Sequence, residues 1–212
     1  MNLEWWGSDV DYREAWARQH DRREAVWSGG PEVLALLEHR AVVTAGKRPV
    51  DLDGIDVIQT ERGGLATWHG PGQLVGYLVC DVRSRGLGAK ATVAAVEEGL
   101  IAWLGASFGR RCGFPGVWHS SGKIASIGLH FRRGVSIHGF SLNLRVTDAP
   151  WHAFDACGIT DSEPTSLHEI RPSAPLPSEC YSAVGDSVLR ALTRAAGGYR
   201  CPEPKRFGDV GS

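Results

Sequence analysis

The stretch that most constrains the fold is residues 127–144. Ile127, Leu129 and Phe131 alternate with other residue types up to Arg132-Arg133-Gly134, and Val135 and Ile137 alternate out of that turn. Period-two alternation on both sides of a polar turn specifies an antiparallel hairpin, so the chain must build a sheet with a buried face. Beyond Ile137 the apolar parity changes, and Phe140, Leu142 and Leu144 fall on the opposite face. A strand changes face within its length through an extra residue or a bend; Gly139 stands at the change, so the pattern predicts a β-bulge there.

Helical spacing appears elsewhere. Between Gly88 and Gly109, Val93, Val96, Leu100, Trp103 and Leu104 form one apolar stripe, and Tyr181, Val184, Val188, Leu192 and Ala195 form another that stops at Gly197-Gly198. Ser8 followed by Asp11 is a capping-box pattern, which predicts a first helix over residues 9–27. Runs rich in Val, Ile and Leu at 33–39, 41–45 and 55–61, with a buried run at 74–82, read as strands. Hairpin strands outnumber crossover helices. The expected fold class is therefore α+β, a mixed twisted β-sheet flanked by helices, in a single domain over residues 1–200 with a polar tail at 201–212.

Charge and composition exclude several functions. With 23 Lys plus Arg against 24 Asp plus Glu, the net charge of -1 argues against a general polyanion binder, so no nucleic-acid partner is expected. The longest apolar run, Leu74–Cys80, falls far short of the roughly 18 residues of a membrane span, and the N-terminus does not read as a secretory signal. A cytoplasmic monomer without membrane contact is expected. Cys80, Cys112, Cys157, Cys180 and Cys201 are odd in number and widely spaced, with no Cys-x-x-Cys pair, which predicts free thiols and no metal site. His20, His119, His130, His152 and His168 read as surface or structural residues.

Three clusters suggest chemistry. Arg62-Gly63-Gly64-Leu65-Ala66-Thr67-Trp68-His69-Gly70-Pro71-Gly72-Gln73 places four glycines, an arginine and a histidine between two strands, where backbone amides can approach a ligand closely. It matches neither a Walker A loop nor Gly-x-Gly-x-x-Gly. Gly122-Lys123-Ile124-Ala125-Ser126-Ile127-Gly128 sets a lysine at the mouth of the hairpin strand, and Ala156-Cys157-Gly158-Ile159 sets a cysteine in a loop. Taken singly, each also fits a turn-rich connector, a solvated lysine and a common dipeptide.

Together, in order and spacing, these clusters resemble the lipoyl(octanoyl) transferases, joined by Ile137-His138-Gly139-Phe140-Ser141-Leu142-Asn143, Thr165-Ser166-Leu167, Leu37-Glu38-His39 and Val43-Thr44-Ala45-Gly46. The resemblance covers roughly residues 10–170 and implies the fold of lipoate and biotinyl protein ligases. It implies an enzyme that moves an octanoyl or lipoyl group from acyl carrier protein to a lysine of apo lipoyl domains, those of 2-oxoacid dehydrogenase complexes and the glycine cleavage H protein. Cys157 would carry the acyl group and Lys123 would partner it. Arg62, Gly63, Gly64, Leu65, Ala66, Thr67, Trp68 and His69, with Ser126, Ile127 and Gly128 and with Gly139, Phe140 and Ser141, would line the cleft. The family usually has proline where Ala156 stands and commonly tyrosine where Trp68 stands. Two other readings share these residues: an ATP-dependent lipoate ligase and a non-catalytic acyl- or lipoyl-domain-binding module.

Transfer from a thioester to an amine is downhill, so no cofactor is expected. What the reaction needs is a nucleophile that holds the acyl group between two protein substrates. An ammonium beside a thiol favours the thiolate. The acidic carrier is expected to dock on Arg83 and Arg85 or on Arg132 and Arg133.

Overall fold

The structure, a computed structural model, describes residues 1–47, 52, 54–147, 149 and 163–198. The expected nucleophile Cys157 and the expected tail 201–212 lie outside them. In chain order the elements are β1 (Asn2–Val10), α1 (Tyr12–Trp27), β2 (Val33–His39), β3 (Val42–Ala45), β4 (Val57–Gln59), β5 (Thr67–His69) and β6 (Gln73–Val79). There follow α2 (Ala89–Leu104), β7 (Gly109–Arg111), β8 (Phe114–His119), β9 (Gly122–Arg132), β10 (Val135–Asn143), α3 (Leu167–Ile170) and α4 (Pro177–Ala196).

Seven strands form the main sheet in the order β1-β2-β6-β10-β9-β8-β7, and β4-β3-β5 form a small second sheet. β1 runs parallel to β2 and the other main-sheet pairs are antiparallel, which makes the sheet mixed. Helix α1 covers one face through Ala15, against Val33, Leu37, Val75 and Ile137. On the other face α2 and α4 pack Val96, Leu100, Val184 and Val188 against Leu34, Leu74, Leu78 and Leu142. Strands covered on both faces read as continuous apolar runs, which explains the 74–82 pattern. Among the described residues no helix is long and apolar enough to cross a membrane.

The hairpin is built as its alternation predicts. Pairing of Val135 with Arg132 leaves Arg133 and Gly134 as a two-residue turn with φ of 49° and 86°. Positive φ at both positions gives the turn a twist that matches the strands.

The bulge at Gly139 is absent. β10 pairs with β9 without a break from Val135↔Arg132 to Leu142↔Ala125, and with β6 from Gly139↔Tyr77 to Asn143↔Gln73. Val135 and Ile137 face α1 while Phe140 and Leu142 face α2 and α4, so the change of parity records burial on both faces and needs no inserted residue. The irregularity sits one residue earlier, at His138, whose φ is 58°. Gly139 is glycine because a Cβ there would run into the Gly76 carbonyl oxygen of β6.

The N-terminus differs from expectation. The first helix begins at Tyr12, capped by Asp11, whose carboxylate accepts from the amides of Arg13 (2.8 Å) and Glu14 (3.2 Å). Residues 2–10 instead form edge strand β1, with register shifts at Gly7. Trp5 stacks on Tyr181 of α4 at 4.8 Å while Trp6 meets Tyr77 on the other face. The irregular register leaves no clean alternation to read.

Gly139→Ala is expected to cost roughly 3–4 kcal/mol, because its clash is with backbone. Gly76→Ala, whose Cβ would meet the movable Phe140 ring, should cost about 1–3 kcal/mol. Urea unfolding of the two variants checks the order; equal midpoints would reject it.

Candidate active site

A cavity of about 490 Å³ opens between the glycine-rich loop and the hairpin. Arg62, Gly63, Gly64, Leu65, Thr67 and His69 line it from the loop side, and Lys123, Ser126, Ile127, Gly128, Gly139, Phe140 and Ser141 from β9 and β10. Ala66 and Trp68 do not: they turn back into the core of the small sheet with Val43 and Val146. Alternation along β5 accounts for this, since Thr67 and His69 share one face and Trp68 takes the other. Tyr12, Tyr77 and His138 also line the cavity; in the sequence they fall inside the expected first helix, the buried run at 74–82 and the Ile137–Asn143 string, and none stands out as a site residue.

Arg62 secures the loop. Its Nη2 donates to the carbonyl (2.8 Å) and hydroxyl (2.9 Å) of Thr44 in β3, and its Nη1 donates to the Gly63 carbonyl at 3.1 Å. The Gly63 amide then donates to the Leu129 carbonyl at 3.3 Å, on the edge of β9 that β8, paired at Gly116↔Ser126, has already left. Side-chain-free Gly128 lies beneath, where a Cβ would come within 3.0 Å of the Gly63 oxygen. The loop thus replaces a strand partner and roofs the cavity.

A buried hydrogen-bond chain runs from that loop to Lys123. The Gln73 amide nitrogen donates to Asn143 Oδ1 (2.9 Å) and to the Trp68 carbonyl (3.3 Å), so Gln73 Oε1 is the acceptor for His69 Nδ1–H at 2.7 Å. Asn143 Nδ2 donates to the Thr165 carbonyl at 3.0 Å, and the Thr165 amide donates to the Lys123 carbonyl at 3.0 Å. Lys123 in turn donates its amide to the Glu163 carbonyl at 3.1 Å, so residues 163–165 clamp both its N–H and its C=O along one strand edge. Gln73 and Asn143 carried a readable signal, polar side chains inside buried strand runs.

The histidines and tyrosines beside the loop are held neutral, with the Arg62 guanidinium next to Tyr12, His69 and Tyr77. His39 Nδ1–H donates to the Val10 carbonyl at 2.9 Å, and Nε2 accepts from the Tyr77 hydroxyl at 2.7 Å. Burial pushes His39 down to about 4, and burial together with the neighbouring His39 pushes His69 down to about 3. Burial likewise raises Tyr12 to about 12. His138 is buried beside Tyr77, its Nε2 3.6 Å from Glu61 Oε2, while its amide donates to Gln19 of α1 at 2.8 Å.

Among the described cysteines, Cys80 and Cys180 are buried and burial pushes both thiols up to about 12, so neither is a ready nucleophile. Cys112 is exposed on the β7–β8 turn. Of the expected docking arginines, Arg85 is held by Glu32, whereas Arg132 and Arg133 lie over the Trp27 ring. No group of three or more potential metal ligands occurs among the described residues.

The chain that builds this cavity, with its glycine loop and buried lysine, is similar to known proteins. The model of the lipoyl protein ligase A/B catalytic domain matches residues 11–187, and the chain belongs to that family. It is an acyltransferase: the octanoyltransferase of Mycobacterium marinum is 40% identical over 208 residues, which covers 88% of this chain and 86% of that protein. The fold is shared with the bipartite lipoate protein ligase of Thermoplasma acidophilum, at 17% identity, a TM-score of 0.61 and coverage of 92% of this chain and 83% of that one. The biotin protein ligase of Aquifex aeolicus shares it at 16% identity and a TM-score of 0.53, over 93% of this chain and 69% of that one.

The depressed histidines make stability depend on pH. Their folded values lie below the ordinary value near 6.5, so below that pH the unfolded chain binds more protons and stability falls as the solution is acidified. At pH 5 each neutral buried histidine should cost about 2 kcal/mol relative to pH 7. Urea unfolding of His39→Gln and His69→Gln at both pH values should show that loss reduced by about 2 kcal/mol in each variant. An undiminished loss would mean that the rings do not stay neutral.

Proposed function

We propose that the protein transfers an octanoyl group from acyl carrier protein to a lysine of apo lipoyl domains, through a thioester on Cys157 with Lys123 as its proton partner. The observation that carries this reading is Lys123. It is 7% exposed, lines the cavity, and is clamped by residues 163–165, the segment that follows Cys157 in the chain. The octanoyltransferase relative supports the acyl group, and its volume suits the cavity, since ligand pockets commonly run to roughly 300–1,000 Å³.

In this mechanism Lys123 takes the Cys157 proton, and the thiolate attacks the carrier's thioester carbonyl. The carrier carbon–sulfur bond breaks and the departing thiolate takes the proton from the Lys123 ammonium. The acceptor amine then attacks the enzyme thioester, gives its proton to Lys123, and Cys157 leaves as thiolate. The acyl chain lies in the cavity throughout, beneath the glycine loop. Because every step exchanges a thioester for a thioester or an amide, no nucleotide enters.

Incubation with octanoyl-acyl carrier protein and apo lipoyl domain without ATP, followed by intact masses of all three proteins, tests the reaction. Octanoate should appear first on the enzyme and then on the acceptor; transfer that requires ATP would make it a ligase, and binding without transfer a silent module. Peptide mapping should place the enzyme-bound acyl group on Cys157, and octanoate on Cys112 would reject the assignment.

Lys123→Arg keeps the charge but cannot release a proton near neutral pH, so alkylation of Cys157 by iodoacetamide should stay fairly fast while acyl transfer collapses. Lys123→Ala should slow both. A change of less than threefold in either rate for a folded Lys123→Ala variant would remove Lys123 from the mechanism.

A further inference from the structure

Helix α2 carries a carboxylate where its apolar stripe predicts none. Glu97 is 7% exposed and lies between Val96 and Leu100, both in the core. A buried carboxylate survives only with partners that replace its water. One oxygen accepts from the Gly116 amide of β8 at 2.9 Å, and the other lies 2.9 Å from Arg110 Nε of β7. Arg110 also donates to the Ala94 carbonyl at 2.7 Å, so the pair anchors the outer strands to α2.

What Glu97 holds lies directly under Lys123. Gly116 has a φ of 134°, a conformation that side chains rarely adopt, and a Cβ there would come within 2.7 Å of Lys123 Cε. The lysine stem therefore rests on the Gly116 backbone, and its Nζ lies 5.4 Å from the Trp118 ring centroid. Among the described residues, the charged groups around this lysine include Glu97 from α2, Arg110 and Arg111 from β7, and Glu163 from the clamping segment. Of these, Glu97 is the buried anion.

We propose that Glu97 is a positioning residue for Lys123, holding the Gly116 backbone on which the lysine rests and adding negative charge near its ammonium that keeps it available to protonate the departing thiolate. This rests on the reading of Lys123 given above. Burial raises the Glu97 carboxyl, while the Gly116 amide and the charges of Arg110 and Lys123 pull it back, as a group coupled to both cations should behave.

The test compares Glu97→Gln, Glu97→Met and Glu97→Asp in octanoyl transfer across pH, with folding checked by urea unfolding. Glu97→Gln can still accept from Gly116 but loses the charge that faces Arg110, so a merely structural role lowers folding stability and leaves the pH profile of kcat unchanged. The expected result is a kcat about tenfold lower, with KM for both substrates within about twofold, and a basic limb moved down by about one pH unit as the ammonium loses its counter-charge. Glu97→Met, the second charge-free side chain, should move the limb the same way. Glu97→Asp should restore it. A wild-type limb in both charge-free variants overturns the proposal. If Lys123→Ala transfers as fast as wild type, the fault lies in the reading of Lys123 and the proposal falls with it; if Lys123→Ala is dead and Glu97→Gln is wild-type, the proposal alone is wrong.

Discussion

Strand β10 is buried along its whole length and paired on both edges, and the cavity depends on that. Away from the cavity its polar groups are answered from within the protein, while both ring nitrogens of His138 are buried without a hydrogen-bond partner among the described residues. Ser136 donates its hydroxyl to the Leu78 carbonyl (2.7 Å), and Asn143 joins Gln73 to Thr165. His138 is tolerated in the left-handed region because its amide is held by Gln19 and its ring is boxed in by Tyr77 and Glu61. The same double pairing puts Gly139 so close to β6 that no other residue fits, and the cavity wall on either side of it is fixed accordingly.

The parts legible in the sequence were those where local chemistry and global fold ask for the same residue. The Arg133-Gly134 turn, the α2 and α4 stripes and the glycine loop are of this kind. Where two demands overlap in one string, the string misleads. The parity change after Ile137 looked like a bulge because a strand buried on both faces can place its large side chains on either parity. Ala66 and Trp68 sit inside a binding-type motif yet serve the small sheet, since alternate residues of a strand cannot all face one cavity. β1 left almost no pattern, because its register slips at Gly7 and its two tryptophans pack on opposite faces. Tyr12 and Tyr77 are buried core residues inside a helix and an apolar strand run, and nothing in those patterns marks that they also line the cavity.

Burial decides which of the ionisable groups near the cavity stay neutral. His39, His69, Tyr12 and Tyr77 are all held neutral by burial, with the Arg62 guanidinium beside the last three. Lys123 packs near Trp118 and on Gly116, and behind Gly116 the Glu97 carboxyl lies against Arg110. Among the described residues the two cations that line the cavity, Arg62 and Lys123, therefore come from the glycine loop and from β9.

The clamp on Lys123 and the stacking of Trp5 on Tyr181 each join a strand to a segment made later, 163–165 for β9 and α4 for β1. During synthesis, β1 and β9 emerge well before the residues that cover or fix them. A ribosome-bound chain that stops short of residue 165 would hold the lysine but not its clamp, and one that stops short of α4 would leave Trp5 uncovered. The hold on Lys123 and the cover over Trp5 are therefore both completed by residues that are made after the strands they secure.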